Sequence, residues 1–109
     1  MSQVLVIVRE LLRRGEYLVS RHGYRELAAD DILLDEVLAG IESAVVVEDY
    51  PDSRKEPAVL VLQRDRSGLP VHVMWGVPKI NGTPAVLVTA YRPASERWSA
   101  DFMKRKNPE

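Results

Sequence analysis

Apolar residues at the start of the chain recur with the spacing of one helical face. Val4, Ile7, Val8, Leu11 and Leu12 follow a cap at Ser2, with Arg13 and Arg14 as a basic last turn and Gly15 as the stop. A strand through the β-branched run Val4 to Val8 competes with this reading. It lacks alternation, and the pattern runs on to Leu12. After a short extended piece at Tyr17-Leu18-Val19, Ser20 is placed to cap a second helix carrying His22, Arg25 and Leu27. Asp30 or Asp31 is placed to cap a third helix running through Val37 and Leu38 to Gly40. From Ala44 the texture changes to short runs of β-formers broken by Pro, Gly, Asn and Asp. These predict four strands, Ala44–Tyr50, Ala58–Gln63, Val71–Val77 and Ala85–Tyr91. Pro93 ends the sheet, and Glu96 to Lys106, with Trp98 and Phe102 four apart, predicts a last short helix. The fold class is α+β: N-terminal helices packed on one face of a four-stranded antiparallel meander, with a short C-terminal helix.

Register follows from the turns. Asn81-Gly82 is the strongest short hairpin signal, because both residues tolerate the positive φ of a type I′ turn. As a two-residue loop it sets His72 opposite Tyr91, Met74 opposite Thr89 and Trp75 opposite Val88. Ser67-Gly68 treated alike sets Gln63 opposite His72 and Leu62 opposite Val73. One face then collects Leu60, Leu62, Val73, Trp75, Val86 and Val88 and packs on helices. The other collects Val61, Gln63, His72, Met74, Thr89 and Tyr91, with polar tips at one end. A slip of one residue reverses every assignment in a strand.

The length of 109 residues fits a single domain, 1–109. Hydrophobic residues at 46% and charged residues at 28% are globular values and exclude a disordered tail or a coiled coil. No apolar run approaches the roughly 20 residues of a membrane span. With no cysteine, disulfide frameworks, thiolate zinc sites and cysteine nucleophiles are excluded, and a cytoplasmic setting fits. No metal-ligand spacing, P-loop or Gly-x-Ser-x-Gly elbow occurs, so neither metal nor cofactor is implied.

A net charge of −1 advertises no global affinity for nucleic acid, but its distribution is uneven. Residues 1–30 carry five arginines against four acids, residues 31–57 two bases against eight acids, and residues 58–109 eight bases against four acids. Glu42, Glu48, Asp49, Asp52 and Glu56 read as a solvated face, a site for a basic partner, or a surface complementary to the basic end. Lys104-Arg105-Lys106 reads as a solvated terminus or as favourable charge at a helix C-terminus. His72 and Tyr91 on one face make either a binding or catalytic site or an ordinary hydrogen-bonded core pair. His22, near a helix start with Arg25 three residues on, carries the same two readings.

Ser20-Arg21-His22, Pro70-Val71-His72-Val73-Met74-Trp75-Gly76-Val77 and Val88-Thr89-Ala90-Tyr91-Arg92-Pro93, followed by Trp98 and Lys104-Arg105-Lys106, resemble the bacterial family catalogued as domain of unknown function 4258. The resemblance covers about residues 17–106, leaving residues 1–15 as an added helix suited to dimerisation. That family is similar in outline to the RelE and BrnT ribonuclease toxins. The resemblance implies metal-independent cleavage of RNA, with His72 and His22 as general base and acid and Tyr91 orienting phosphate or donating a proton. Arg25, Gln63 and Arg92 then bind substrate and stabilise charge, and Lys104, Arg105 and Lys106 hold the RNA backbone. The partners implied are RNA, a small antitoxin-like protein or a second copy. The sequence departs from the family at Ala29 or Asp30, where a basic residue is usual, and its pI near 6.1 is low for an RNA-cutting toxin. The competing class is a non-catalytic interaction module acting through the mixed sheet face or the N-terminal helix.

Overall fold

In a computed structural model, residues 2–78 and 82–106 of the chain are described. Ser2 caps α1 (Gln3–Arg13), its hydroxyl accepting the Leu5 amide, and Gly15 at φ 72° lies just beyond the helix end. After β1 (Tyr17–Val19), Ser20 caps α2 (Arg21–Ala29) by accepting the Gly23 amide. Neither aspartate caps the third helix. Asp30 closes α2, Asp31 turns the chain at φ 52°, a conformation that Asp tolerates better than most residues, and α3 (Leu34–Gly40) starts after Leu33. A 3-10 turn at Ile41–Ser43 leads into β2 (Val45–Tyr50), β3 (Ala58–Arg64), β4 (Pro70–Gly76) and β5 (Ala85–Tyr91).

Among the described residues the sheet has five strands, not four, in the order β1-β5-β4-β3-β2. The short extended piece is the added strand. It pairs in parallel with Ala85–Leu87 of β5, so the expected antiparallel meander is a mixed sheet. One side of the sheet and the helices share the core: Val59, Val61, Val71, Val73, Trp75, Ala85, Leu87 and Ala90 meet Val4, Leu5, Val8 and Leu11 of α1, Leu27 of α2 and Val37 of α3. The apolar stripe of α1 that suited a dimer contact is therefore buried within the chain.

Two register details overturn the expected faces. The β3–β4 loop is one residue longer than a two-residue turn. Asp65 and Leu69 close it, the Gly68 amide donates to the Asp65 carbonyl, and Gly68 sits at φ 82°. This is the three-residue loop ending in a left-handed residue that hairpins use next most often. Leu62 thus faces His72 and Gln63 faces Val71, so every β3 side chain is reversed. Gln63, expected beside His72, lies on the helix side and donates to the Val37 carbonyl. Between β4 and β5 the expected pairs His72–Tyr91 and Met74–Thr89 form, but a bulge then sets Trp75 opposite Leu87. Leu87 and Ala85 take the core positions expected of Val88 and Val86. Asn81, on which the expected turn rests, lies outside the described residues.

The closing helix does not form. Trp98 bridges Arg105, the Ser99 amide donates to Lys104 and the Lys106 amide to Arg97, so residues 97–106 fold back on themselves. Ser99 donates to the Asp101 carboxylate, which also accepts the Met103 amide, and Phe102 takes φ 62°. Side chains that satisfy nearby backbone in this way compete with helix.

Gly23 shows how closely α2 lies on β5. A Cβ there would sit 2.8 Å from the Leu87 carbonyl oxygen, which already accepts the Ser20 amide. Gly23→Ala is expected to destabilise the fold by about 1–3 kcal/mol despite alanine's better helix propensity. A lower urea midpoint with unchanged slope is the measurement that checks it.

Candidate functional site

His72 projects from β4 on the face away from the helices and is wholly removed from solvent, at 0% exposure. Its Nε2 lies 2.9 Å from the Phe102 carbonyl oxygen and its Nδ1 3.2 Å from the Tyr91 hydroxyl. A carbonyl can only accept, so the neutral ring carries its hydrogen on Nε2, and Nδ1 accepts the Tyr91 hydroxyl. Trp98 stands edge-on to the imidazole with ring centroids 4.4 Å apart, and Tyr91 does so at 5.3 Å. Burial is the main cause that pushes the His72 pKa below 6.5, against the Phe102 hydrogen bond and the charge of Glu48. Burial likewise raises the Tyr91 phenol above its usual range.

The cover over His72 is the segment after β5. Arg105 fastens it, donating from Nε and Nη2 to the two oxygens of Glu48 on β2 at 2.7 and 3.1 Å. The same guanidinium lies 4.8 Å from the Trp98 ring centroid. The Arg105 contact holds the Glu48 carboxyl below its ordinary range. Tyr50, donating to that carboxylate at 2.6 Å, is raised. Beside this segment opens a cleft of about 380 Å³ lined by Tyr91, Arg92, Ala94, Arg97, Trp98 and Arg105. Three arginines and a phenol line it, and among the described residues the lining contains no carboxylate.

The structure brings some expected residues together and separates others. His72, Tyr91, Arg92 and Arg105 converge on the cleft or its floor. His22 and Arg25 are exposed on α2, and neither makes a hydrogen bond, ion pair or ring contact among the described residues, with His72 or otherwise. Arg92 is engaged: its amide donates to the Asp30 carboxylate, its guanidinium to the Asp30 and Asp31 carbonyls, and Nη1 pairs with Asp65 at 2.9 Å. Lys104 and Lys106 are exposed. Among the described residues no group of three or more His, Asp or Glu could hold a metal ion, and no helix is long and apolar enough to cross a membrane. The acidic stretch is partly consumed within the chain, Glu48 by Arg105, Glu42 by Arg13 and Asp49 by the Ser2 hydroxyl.

Sequence reasoning missed Arg97, Trp98 as a cover and Glu48 as an anchor. Arg97 is exposed and, among the described residues, its side chain has no ion-pair or hydrogen-bond partner. Its signal was the pair Arg97-Trp98 in a basic half, hidden by the expectation of a helix there.

Residues 19–92 match the family described as a domain of unknown function, DUF4258. The chain belongs to this family. As a DUF4258 domain it carries α2 to β5 within the matched region, whereas α1 and the segment with Arg97, Trp98 and Arg105 lie outside it. The match is shorter at both ends than the resemblance read from the sequence. No curated protein and no solved structure matches this DUF4258 chain, and the similarity in outline to RelE and BrnT toxins finds no support there.

Proposed function

We propose that this domain binds the phosphate backbone of RNA in the cleft between β5 and the closing segment. The observation that carries the reading is the meeting of Arg92, Arg97 and Arg105 with the Tyr91 phenol in a lining that, among the described residues, holds no carboxylate. Guanidinium forks match phosphate oxygens in shape as well as charge. Arg92 and Arg105 are already partnered by Asp65 and Glu48, so Arg97 is the cation with most to give a ligand. Exposed Lys104 and Lys106 extend the positive surface along the same segment. His22 is outside this site.

Binding is favoured over acid and base catalysis by two histidines. His72 has both nitrogens occupied beneath Trp98, and His22 does not meet it. Among the described lining residues the group suited to move a proton is Tyr91, backed by His72, so a metal-independent cleavage reading runs through that phenol. Fluorescence anisotropy with a labelled single-stranded RNA tests the binding. Arg97→Ala is expected to weaken the complex and to reduce the slope of log affinity against log salt by about 1. No binding at low salt, or an Arg97→Ala variant equal to the parent, would remove the reading and leave the cleft to an acidic protein. Incubation of RNA in EDTA with the parent and Tyr91→Phe separates cleavage from binding.

A further inference from the structure

The hydrogen-bond polarity around His72 constrains how Tyr91 meets an anion. The phenol has one proton, and that proton points inward to Nδ1, because Nε2–H is committed to the Phe102 carbonyl. Toward the cleft, Tyr91 therefore presents only oxygen lone pairs, which repel a phosphate oxygen. Turning the proton outward alone would leave Nδ1 a buried acceptor with no donor, a costly state in a site closed to water. The conflict is resolved when Tyr91 passes its proton inward to Nδ1 and the phenol oxygen takes a replacement from solvent. Nδ1–H then donates to the Tyr91 oxygen, and the Tyr91 hydroxyl donates to the phosphate. We infer that His72 is a positioning residue for anion binding at Tyr91, and that a phosphodiester enters the cleft together with one proton taken up by the imidazole. This rests on the reading of the cleft as a phosphodiester site.

The surroundings of the ring suit such a coupling. Glu48 on β2, with Tyr50 on its carboxylate, favours the imidazolium, and Arg105 on the closing segment opposes it. Across the ladder β3 contributes Leu62, which carries no charge, and β5 contributes Tyr91 itself. Arg92 and Arg97 line the same cleft. Burial first, and Arg105 after it, disfavour the imidazolium of His72. A bound anion reverses that balance across the single hydroxyl between them.

The test uses a 5′-hydroxyl oligouridylate, whose phosphodiesters do not titrate between pH 5.5 and 8.5. For the parent chain, affinity is expected to fall as pH rises, by up to about tenfold per pH unit for a one-proton linkage. Calorimetry in two buffers of different ionisation enthalpy is expected to show net proton uptake. Tyr91→Phe, which keeps the ring and removes the hydroxyl, is expected to bind with a flat profile and no uptake, while His22→Asn keeps both. A flat profile without uptake in the parent, alongside an Arg97→Ala defect, would overturn the coupling and leave the binding site intact. A profile unchanged in Tyr91→Phe would also overturn it. Absence of binding by the parent would overturn both.

Discussion

Replacing His72 by alanine is expected to lower the unfolding free energy by about 3–5 kcal/mol, the range for emptying a buried aromatic site. The ring is fully buried, holds two hydrogen bonds and is flanked by Trp98 and Tyr91, so its loss leaves a cavity, an orphaned Phe102 carbonyl and an unpaired phenol. Against a typical total of about 5–15 kcal/mol, such a variant is close to unfolding. Urea denaturation at pH 7.5 measures it, and a loss below about 1 kcal/mol would contradict a structural role. The pH dependence has a definite sign. The folded-state pKa of His72 lies below the unfolded value of 6.5, so its contribution is fully present above 6.5 and is lost as pH falls through the folded value. That component is expected to vanish in the alanine variant. Loss of any RNA-directed activity in His72→Ala would thus report unfolding as readily as chemistry, which is why Tyr91→Phe is the informative substitution.

Trp98→Ala is expected to cost about 3 kcal/mol, at the lower end for a buried aromatic because the closing segment can pull away rather than hold a void open. Trp98 is 4% exposed, packs edge-on to His72 and supports the Arg105 guanidinium. Without it the Arg105–Glu48 pair is left as a mostly surface contact, worth little by itself. Amide exchange over residues 97–106 is expected to quicken, and the His72 ring to titrate nearer 6.5 by NMR. Since the two rings touch, the double variant is expected to lose less than the sum of the singles. Strict additivity would show that Trp98 does not cover His72.

Much of the helical layer was legible because caps and periodicity are local. Ser2 and Ser20 both cap as their positions suggested, and the stripe Val4, Val8, Leu11 is buried. The His72–Tyr91 pair was legible too, since the bulge begins only past Met74. The rest depended on single-residue choices that composition does not encode. One extra residue at the Gly68 turn reversed β3 and carried Gln63 to the helices. Trp98 and Phe102, four apart, looked like one helical face, but Ser99 and Asp101 between them bind the local backbone instead. The acidic run looked like solvated surface because Glu48 and Arg105 are 57 positions apart.

Arg105 clamps Glu48, lies over Trp98 and lines the cleft with one guanidinium. The cleft and the closing segment therefore stand or fall together: whatever frays that segment removes a wall of the cleft, and under the proposed phosphate binding a bound anion would stiffen the segment in turn.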